Sequence, residues 1–337
     1  MRSARLHGVG DVRVEEEPAP RPGDGESLVR VTAVGLCGSD LHWFADGGIG
    51  DAVLDTPLVL GHEIAGVVED GPLAGTRVAV DPSDACGTCE TCLEGLRNMC
   101  PHVRFAGHGR NDGGLRELMA WPTALLHPVP DALSDADVAM LEPLGVAIHA
   151  LDLGKPRLGH TVVVVGAGPI GLCAVQLARV AGAARVVAVE PLAHRRAAAA
   201  ALGADVVLDP QDPDVLARLA EATGGRGADL AVEVAGTDEA VALAVEAVRP
   251  GRTVVLAGIP EPDRTTFPAS TARRKGLTLR LSRRMGDVYP RAIDLVARGR
   301  VDLRSVVSHT FPLSRAAEAF AAAASRAGLK VVVEPGA

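Results

Sequence analysis

With 337 residues, 47% of them hydrophobic and 23% charged, the chain is composed like a folded protein and is longer than one compact core usually fills, so two domains are expected. A formal charge of −8 with no long basic run argues against a nucleic-acid partner, since the cluster Arg273-Arg274-Lys275 is too short to make a basic stripe. Aromatic residues make up only 2%, so the cores must be built from Ala, Val and Leu.

The opening residues, Met1-Arg2-Ser3-Ala4-Arg5-Leu6-His7, lack the apolar core of a secretory signal, and a cytoplasmic protein is expected. Up to about residue 145, short Val-containing runs such as Leu28–Val34, Ile64–Glu69 and Arg77–Val80 alternate with Gly, Pro and Asp. That is the texture of an all-β module. From about Thr161 strands and helices alternate. Val162–Val165 is followed by a glycine turn and a helical pattern from Pro169 to Ala181, then by a strand at Val186–Glu190. His194–Leu202 is alanine-rich and helical, with Gly203 as its C-terminal cap. Further strands are expected at Val206–Leu208, Leu230–Val234 and Thr253–Ala257, with helices at Pro213–Ala222 and Glu239–Val248 between them. Such alternation implies a doubly wound parallel sheet with crossover helices. The apolar stretch Val162–Ala178 nears membrane-spanning length. Three glycines and Pro169 interrupt it and Arg179 closes it, so a buried strand, turn and helix is expected and not a membrane segment. After about Leu281 the texture is mixed again and ends in the apolar strand Leu329–Val333, which is placed to rejoin the first module. The nucleotide-type domain would then be an insertion.

Gly166-Ala167-Gly168-Pro169-Ile170-Gly171 is a G-x-G-x-x-G that leaves a strand and opens a helix, with Glu190 at the end of the next strand. All three context elements of the dinucleotide fingerprint are present. Gly166 permits the tight turn, Gly168 lets the backbone approach a pyrophosphate, and Gly171 lets the helix pack on the strand. The helix N-terminus favours the phosphates, and Pro169 suits a first turn where no hydrogen bond is lost. Glu190 would accept a hydrogen bond from the ribose and repel a 2′-phosphate, which favours NAD over NADP. Arg195 and Arg196 are either partners for a phosphate or solvated helix residues.

Two metal signals follow from residue type. Cys86, Cys89, Cys92 and Cys100 form C-x2-C-x2-C-x7-C, which can close a tetrahedral zinc site without an open position, hence a structural one. The second is dispersed: Cys37 in Gly35–His42, His62 and Glu63 in Gly61-His62-Glu63, and Glu142 in Leu141-Glu142-Pro143-Leu144-Gly145. Each of these alone has a duller reading, as a core thiol, a surface pair or a helix boundary, and spacing does not make them converge.

Together these motifs, in this order, resemble the zinc-containing medium-chain alcohol dehydrogenases over essentially the whole chain. Ile49-Gly50-Asp51, leading into Pro57-Leu58-Val59-Leu60-Gly61-His62-Glu63, leans toward the sorbitol (polyol) branch. Phe311-Pro312-Leu313 and Gly328-Leu329-Lys330 extend the likeness to the end. The resemblance implies a GroES-like catalytic domain, 1–147 with 284–337, and a Rossmann NAD-binding domain, 148–283. It implies that Cys37, His62 and Glu142 flank a catalytic zinc, with Glu63 as an alternative or shared ligand, and that Asp40 steadies His62. Ser39 matches the hydroxyl that takes the alcohol proton, His42 continues the relay, and Arg284 matches a substrate-contacting arginine. A small-molecule polyol as substrate and a homodimer or homotetramer are implied as well.

Some positions depart from the pattern. Trp43 stands where polyol dehydrogenases often carry tyrosine, and Arg283 and Met285 replace aromatics beside Arg284. These changes leave a cyclitol or aminocyclitol dehydrogenase, or a threonine dehydrogenase, as alternatives. A non-catalytic NAD-binding protein and a zinc-free quinone reductase are the remaining readings.

Overall fold

The β-branched run Glu26–Gly35 organises the first part of the chain. In the computed structural model, which describes residues 1–261 and 263–336, it is the central strand of a seven-stranded sheet. Glu63–Val68 lies antiparallel on one side, followed by Arg77–Val80 and Leu126–Pro128. Its other edge is shared. Leu118–Pro122 pairs with residues 26–30, and the last strand, Lys330–Glu334, pairs with Val34 and Gly35. Val307–Pro312 then runs parallel to that last strand. The end of the chain does rejoin the first module, as the closing apolar run predicts. An amino-terminal hairpin, Arg2–Gly8 with Asp11–Glu16, adds a second small sheet that periodicity did not disclose.

With so few aromatics, those present sit at the centre. Trp43 and Phe320 are fully buried, and Phe320 stacks on Phe44 with ring centroids 5.1 Å apart. Around them pack Leu60, Ile64, Leu115 and Met119. The one tyrosine, Tyr289, is buried; it stacks on His127 at 4.6 Å and donates to the Val80 carbonyl at 2.9 Å.

The second part is a six-stranded, wholly parallel sheet. Across the sheet the strands are Val206–Leu208, Arg185–Val189, Thr161–Val165, Ala228–Glu233, Val248–Leu256 and Thr278–Leu281. Counted along the chain this is the order 3-2-1-4-5-6 of a doubly wound dinucleotide fold. Parallel neighbours need crossovers, supplied among others by Pro169–Val180, Ala193–Ala201, Val215–Ala222 and Asp238–Ala247. Strands covered on both faces read as unbroken apolar runs, and Val162–Val165 are all at most 3% exposed. The expected helix Glu239–Val248 stops at Ala247, because Val248 pairs with Ala228 and begins a longer strand than 253–257.

The chain divides into two compact units, Met1–Glu142 with Tyr289–Ala297 and Leu303–Ala337, and Pro143–Val288 with Arg298–Asp302. The divisions fall after Glu142 and after Val288, where the sequence reading had 147 and 283, and residues 298–302 join the second unit. Packing gives the reason. Met285 and Val288 lie against Gly145, so close that a side chain there would meet Met285 Sδ at 2.3 Å. Gln176 exchanges two hydrogen bonds with the Asp302 backbone, at 2.9 and 2.7 Å.

Because Phe320 belongs to the core of the first unit, Phe320→Ala should cost about 3–5 kcal/mol by leaving a cavity. Urea denaturation followed at the first unit would show a loss of that size; a change below about 1 kcal/mol would mean that the final helix is dispensable to this core.

Candidate functional site

Three side chains far apart in sequence meet at one point. Cys37 precedes the helix Gly38–Asp46, and His62 and Glu63 stand at the start of the strand Glu63–Val68. One ligand atom from each lies within 4.8 Å of the others, and both His62 and Glu63 are buried. Asp40, fully buried, sets this arrangement. Its carboxylate accepts the Cys37 N–H at 2.9 Å and the Gly61 N–H at 3.1 Å, and lies 3.5 Å from His62 Nδ1. One carboxylate therefore holds the backbone on both arms of the cluster and faces the imidazole as well. Burial works against a charge on either partner, but the mutual attraction outweighs it: Asp40 is held below the usual carboxylate range and His62 well above the usual imidazole value.

Two charged groups complete the cluster. Glu142, 5% exposed, lies in the first turn of the helix Leu141–Gly154. Burial pushes its carboxyl up to about 7; His62 and Lys330 oppose that shift and Glu63 adds to it. Lys330, on the last strand, donates to Glu63 Oε1 at 2.5 Å and is ion-paired with Oε2. Both partners are nearly inaccessible, at 2% and 0% of side-chain surface. Removing one member of such a buried pair costs about 3–5 kcal/mol. Gly35, opposite Glu63 in the sheet, has to be glycine: a side chain there would lie 1.9 Å from Glu63 Oε2 and 2.9 Å from Lys330 Cε. Cys37, Asp40, Glu63 and Glu142 can all carry negative charge around one ammonium and one imidazole. A divalent cation supplies the charge this set lacks, and a thiolate, an imidazole and a carboxylate are a donor set zinc accepts.

The four cysteines of the lobe also converge. Sulfur–sulfur separations are 4.0 Å for Cys86–Cys92, 3.8 Å for Cys89–Cys100 and 3.6 Å for Cys86–Cys100. A disulfide needs about 2.05 Å. A zinc tetrahedron with bonds of about 2.3 Å has edges near 3.8 Å, so the lobe fits the ion and not a disulfide. Backbone donors from Thr88 and Cys89 pull the Cys86 thiol down to about 6, while burial pushes Cys92 up to about 12.

In the second unit, Gly166 has φ +97° and a side chain on it would press within 3.0 Å of Ala235 N. A side chain on Gly171 would lie 2.0 Å from the Gly166 carbonyl oxygen. Gly168 is different. The nearest atom to a side chain there would be Arg195 Nη1 at 3.7 Å, so the chain's own packing does not require glycine at this place. Glu190 is buried, with Oε2 accepting Ala167 N–H at 2.7 Å and Oε1 accepting Leu192 N–H at 3.1 Å. Arg196 donates to the carbonyls of Glu190 and Pro191 and pairs with Asp209 at 2.9 Å. Pro169 and Ile170 open the helix at the loop.

The alcohol dehydrogenase GroES-like domain model matches residues 23–131, and the zinc-binding dehydrogenase model matches residues 169–298. Sorbitol dehydrogenase of Pongo abelii is 36% identical over 98% of this chain and 94% of its own. The chain belongs to the zinc-binding alcohol dehydrogenases. Among solved structures, L-idonate 5-dehydrogenase of Escherichia coli superposes with a TM-score of 0.92 at 31% identity, covering 99% of this chain and 97% of that one. A Sinorhizobium meliloti protein described as a zinc-binding dehydrogenase and solved bound to NADP gives 0.91 at 32% identity, covering 99% of both chains. The protein is thus an oxidoreductase of the GroES-like plus Rossmann architecture, close to the sorbitol dehydrogenases.

For this dehydrogenase the structure brings Cys37, His62, Glu63 and Asp40 together; Glu142 is buried and feels the charges of His62 and Glu63. Ser39 lies in the first turn of the helix Gly38–Asp46. His42 stands one turn further, three residues on, with Nδ1 3.2 Å from Asp46 Oδ2. Arg284 belongs to the second unit and not to the catalytic one, and it holds a left-handed backbone, φ 53°. The sequence reading gave Lys330 no role. Its local signals were its rarity, three lysines among 34 basic residues, and its place in Gly328-Leu329-Lys330.

The cysteine lobe generates a direct expectation. Cys100→Ser should remove one zinc per chain in metal analysis and lower the midpoint of thermal unfolding, because structural zinc contributes directly to folding. An unchanged metal count would exclude zinc from the lobe.

Proposed function

We propose that this dehydrogenase oxidises a secondary hydroxyl of a polyol of the sorbitol or xylitol kind to a ketone and passes the hydride to NAD. The observation that carries this reading is the meeting of Cys37, His62 and Glu63 within 4.8 Å, at the foot of the helix bearing Ser39 and His42. Cys37, His62 and a carboxylate, Glu142 or Glu63, would hold one zinc, and the cysteine lobe a second. When bound, zinc supplies Lewis acidity that eases loss of the alcohol proton, and the nicotinamide supplies the hydride acceptor.

The chain's own groups handle the proton. A bound nicotinamide would take the carbon-bound hydrogen with its electron pair. The hydroxyl hydrogen leaves as a proton to Ser39, whose own proton passes to His42. His42 is only partly exposed, at 24% of its side chain, and its partner Asp46 is more open at 45%, which suits a relay ending in water. Asp40 keeps Cys37 and His62 in register throughout. Arg284, which holds a left-handed backbone, is assigned to a distal substrate hydroxyl.

NAD is preferred because the buried Glu190 carboxylate stands beside the glycine loop and repels a 2′-phosphate, while Arg196 is already committed to carbonyls and Asp209. The loop fits a pyrophosphate, since the missing side chain at Gly168 answers no need of the chain itself. One observation favours NADP as a second reading: the Arg195 guanidinium lies over Gly168. Among the described residues no helix is long and apolar enough to cross a membrane. We place the reaction in the cytoplasm, carried out by a homodimer or homotetramer.

Three measurements bear on this. Cys37→Ser should lower turnover by at least about 10³-fold while NAD binding, followed by fluorescence, is retained. Ser39→Ala should lower kcat by about 10²–10⁴-fold with KM little changed. Turnover at the parent level in Cys37→Ser would reject the zinc scheme. In a panel of sorbitol, xylitol, threonine and inositol with NAD and NADP, the highest kcat/KM is expected for a polyol with NAD. Threonine or inositol leading the panel would replace the substrate assignment, and NADP leading it would replace the role given to Glu190.

A further inference from the structure

The parallel sheet of the second unit breaks its register between two strands. Ala228 pairs with Val248 and Leu230 with Thr253, so Arg249-Pro250-Gly251-Arg252 lies opposite the single residue Asp229. An excursion of this kind bends the strand and re-aims its side chains. Here it carries two arginines to Asp229, whose side chain is 2% exposed. Arg249 meets Asp229 Oδ1 with Nη2 at 2.7 Å and Nε at 2.8 Å. Arg226, just before the strand Ala228–Glu233, donates to both oxygens, at 3.1 and 3.2 Å. Gly227 holds the two segments close: it has φ +84°, and a side chain on it would lie 2.8 Å from Arg249 N. Arg252 stands further off, with Nε 3.8 Å from Oδ1. That N–H is buried and has no hydrogen-bond partner among the described residues.

Three guanidinium groups thus face one carboxylate. Asp229 also accepts the Thr161 N–H at 3.0 Å, and among the described residues no other carboxylate pairs with these arginines. Two positive charges are left over where Arg226 and Arg252 reach solvent. The group lies at the starts of the strands Thr161–Val165 and Ala228–Glu233, the sheet edge opposite the glycine loop, with roughly 13 Å of strand between them. Arg226 and Arg249 also line a cavity of about 300 Å³, with Leu216, Leu219 and Val248 as apolar wall. That volume is at the lower end for small-molecule sites. Lys275 lines it too, and Glu246, the one carboxylate on its wall, is 3.6 Å from the Lys275 ammonium.

We propose that Arg226, Arg249 and Arg252 form a second anion site, separate from the cofactor loop, which takes the phosphate group of a small molecule whose apolar body enters the adjoining cavity. A phosphate monoester carries close to two negative charges near neutral pH, which matches the excess. Guanidinium forks suit its oxygens better than they suit a spherical halide. Asp229 holds the forks in place, as Arg249 and Arg226 are bound to it before any ligand arrives.

The test is isothermal titration calorimetry on the zinc-loaded, full-length protein with NADH present to fill the glycine loop. The probes are phenyl phosphate, inorganic phosphate and phenol. Phenyl phosphate should bind at one per chain, at least about 10-fold more tightly than inorganic phosphate, and phenol should give no heat. Replacing Arg226 and Arg252 together by Gln should weaken phenyl phosphate by at least about 30-fold and leave NADH binding unchanged. Leu216→Ser should weaken phenyl phosphate by about 5-fold and leave inorganic phosphate as it was. Affinity untouched by loss of the two arginines, or no binding of either phosphate, would overturn the site. Equal affinity of the parent for the two phosphates would overturn its assignment to an organic phosphate. Should the double arginine variant not fold, the phenol comparison and Leu216→Ser, which alters an exposed side chain, decide the matter.

Discussion

The buried carboxylate of Asp40 is the constraint on which the metal cluster depends. It binds the backbone N–H groups of Cys37 and Gly61 and faces the His62 ring, so residues more than 20 positions apart share one anchor. A charge in that place is tolerated only because each oxygen has a partner. An unpaired buried carboxylate would neutralise itself by taking up a proton. The same logic runs outward through the site. Glu63 is buried with Lys330 paired against it, and Gly35 has no side chain because that pair occupies the space.

The two metal-type clusters differ as their chemistry would require. The cysteine lobe collects four sulfurs at near-tetrahedral spacing from one stretch of 15 residues, 86–100, and leaves no position for a substrate. The other cluster draws on the residue before a helix and on the start of a strand 25 positions later. Ser39 and His42 stand one helical turn apart on the helix that follows Cys37.

The glycine loop shows how much of a binding element is internal necessity. Gly166 and Gly171 are required by the fold: one takes a left-handed turn against Ala235, the other sits on a carbonyl. Gly168 is not so required, and that difference separates the glycines that shape the loop from the one that opens it to a ligand. Glu190 is tied to the same loop through the Ala167 N–H, so the acidic side chain and the glycine turn are held together.

What the sequence determined by itself was whatever short-range chemistry decides. The glycine fingerprint with its strand, helix and acidic residue, the four-cysteine lobe, and the alternation that makes a doubly wound sheet can each be read within about 30 residues. The family was legible from motifs in order. Tertiary structure decided the rest, because it depended on pairing across long separations. Lys330 meets Glu63 across 267 positions, a pairing that neither its scarcity nor its place in Gly328-Leu329-Lys330 discloses. The unit boundaries moved because Met285 and Val288 pack on Gly145 and Asp302 binds Gln176, contacts that no hydrophobic period encodes. Which group meets a buried carboxylate is a property of its neighbours in space, so the Lys330–Glu63 pair became visible only once the last strand was laid beside Gly35.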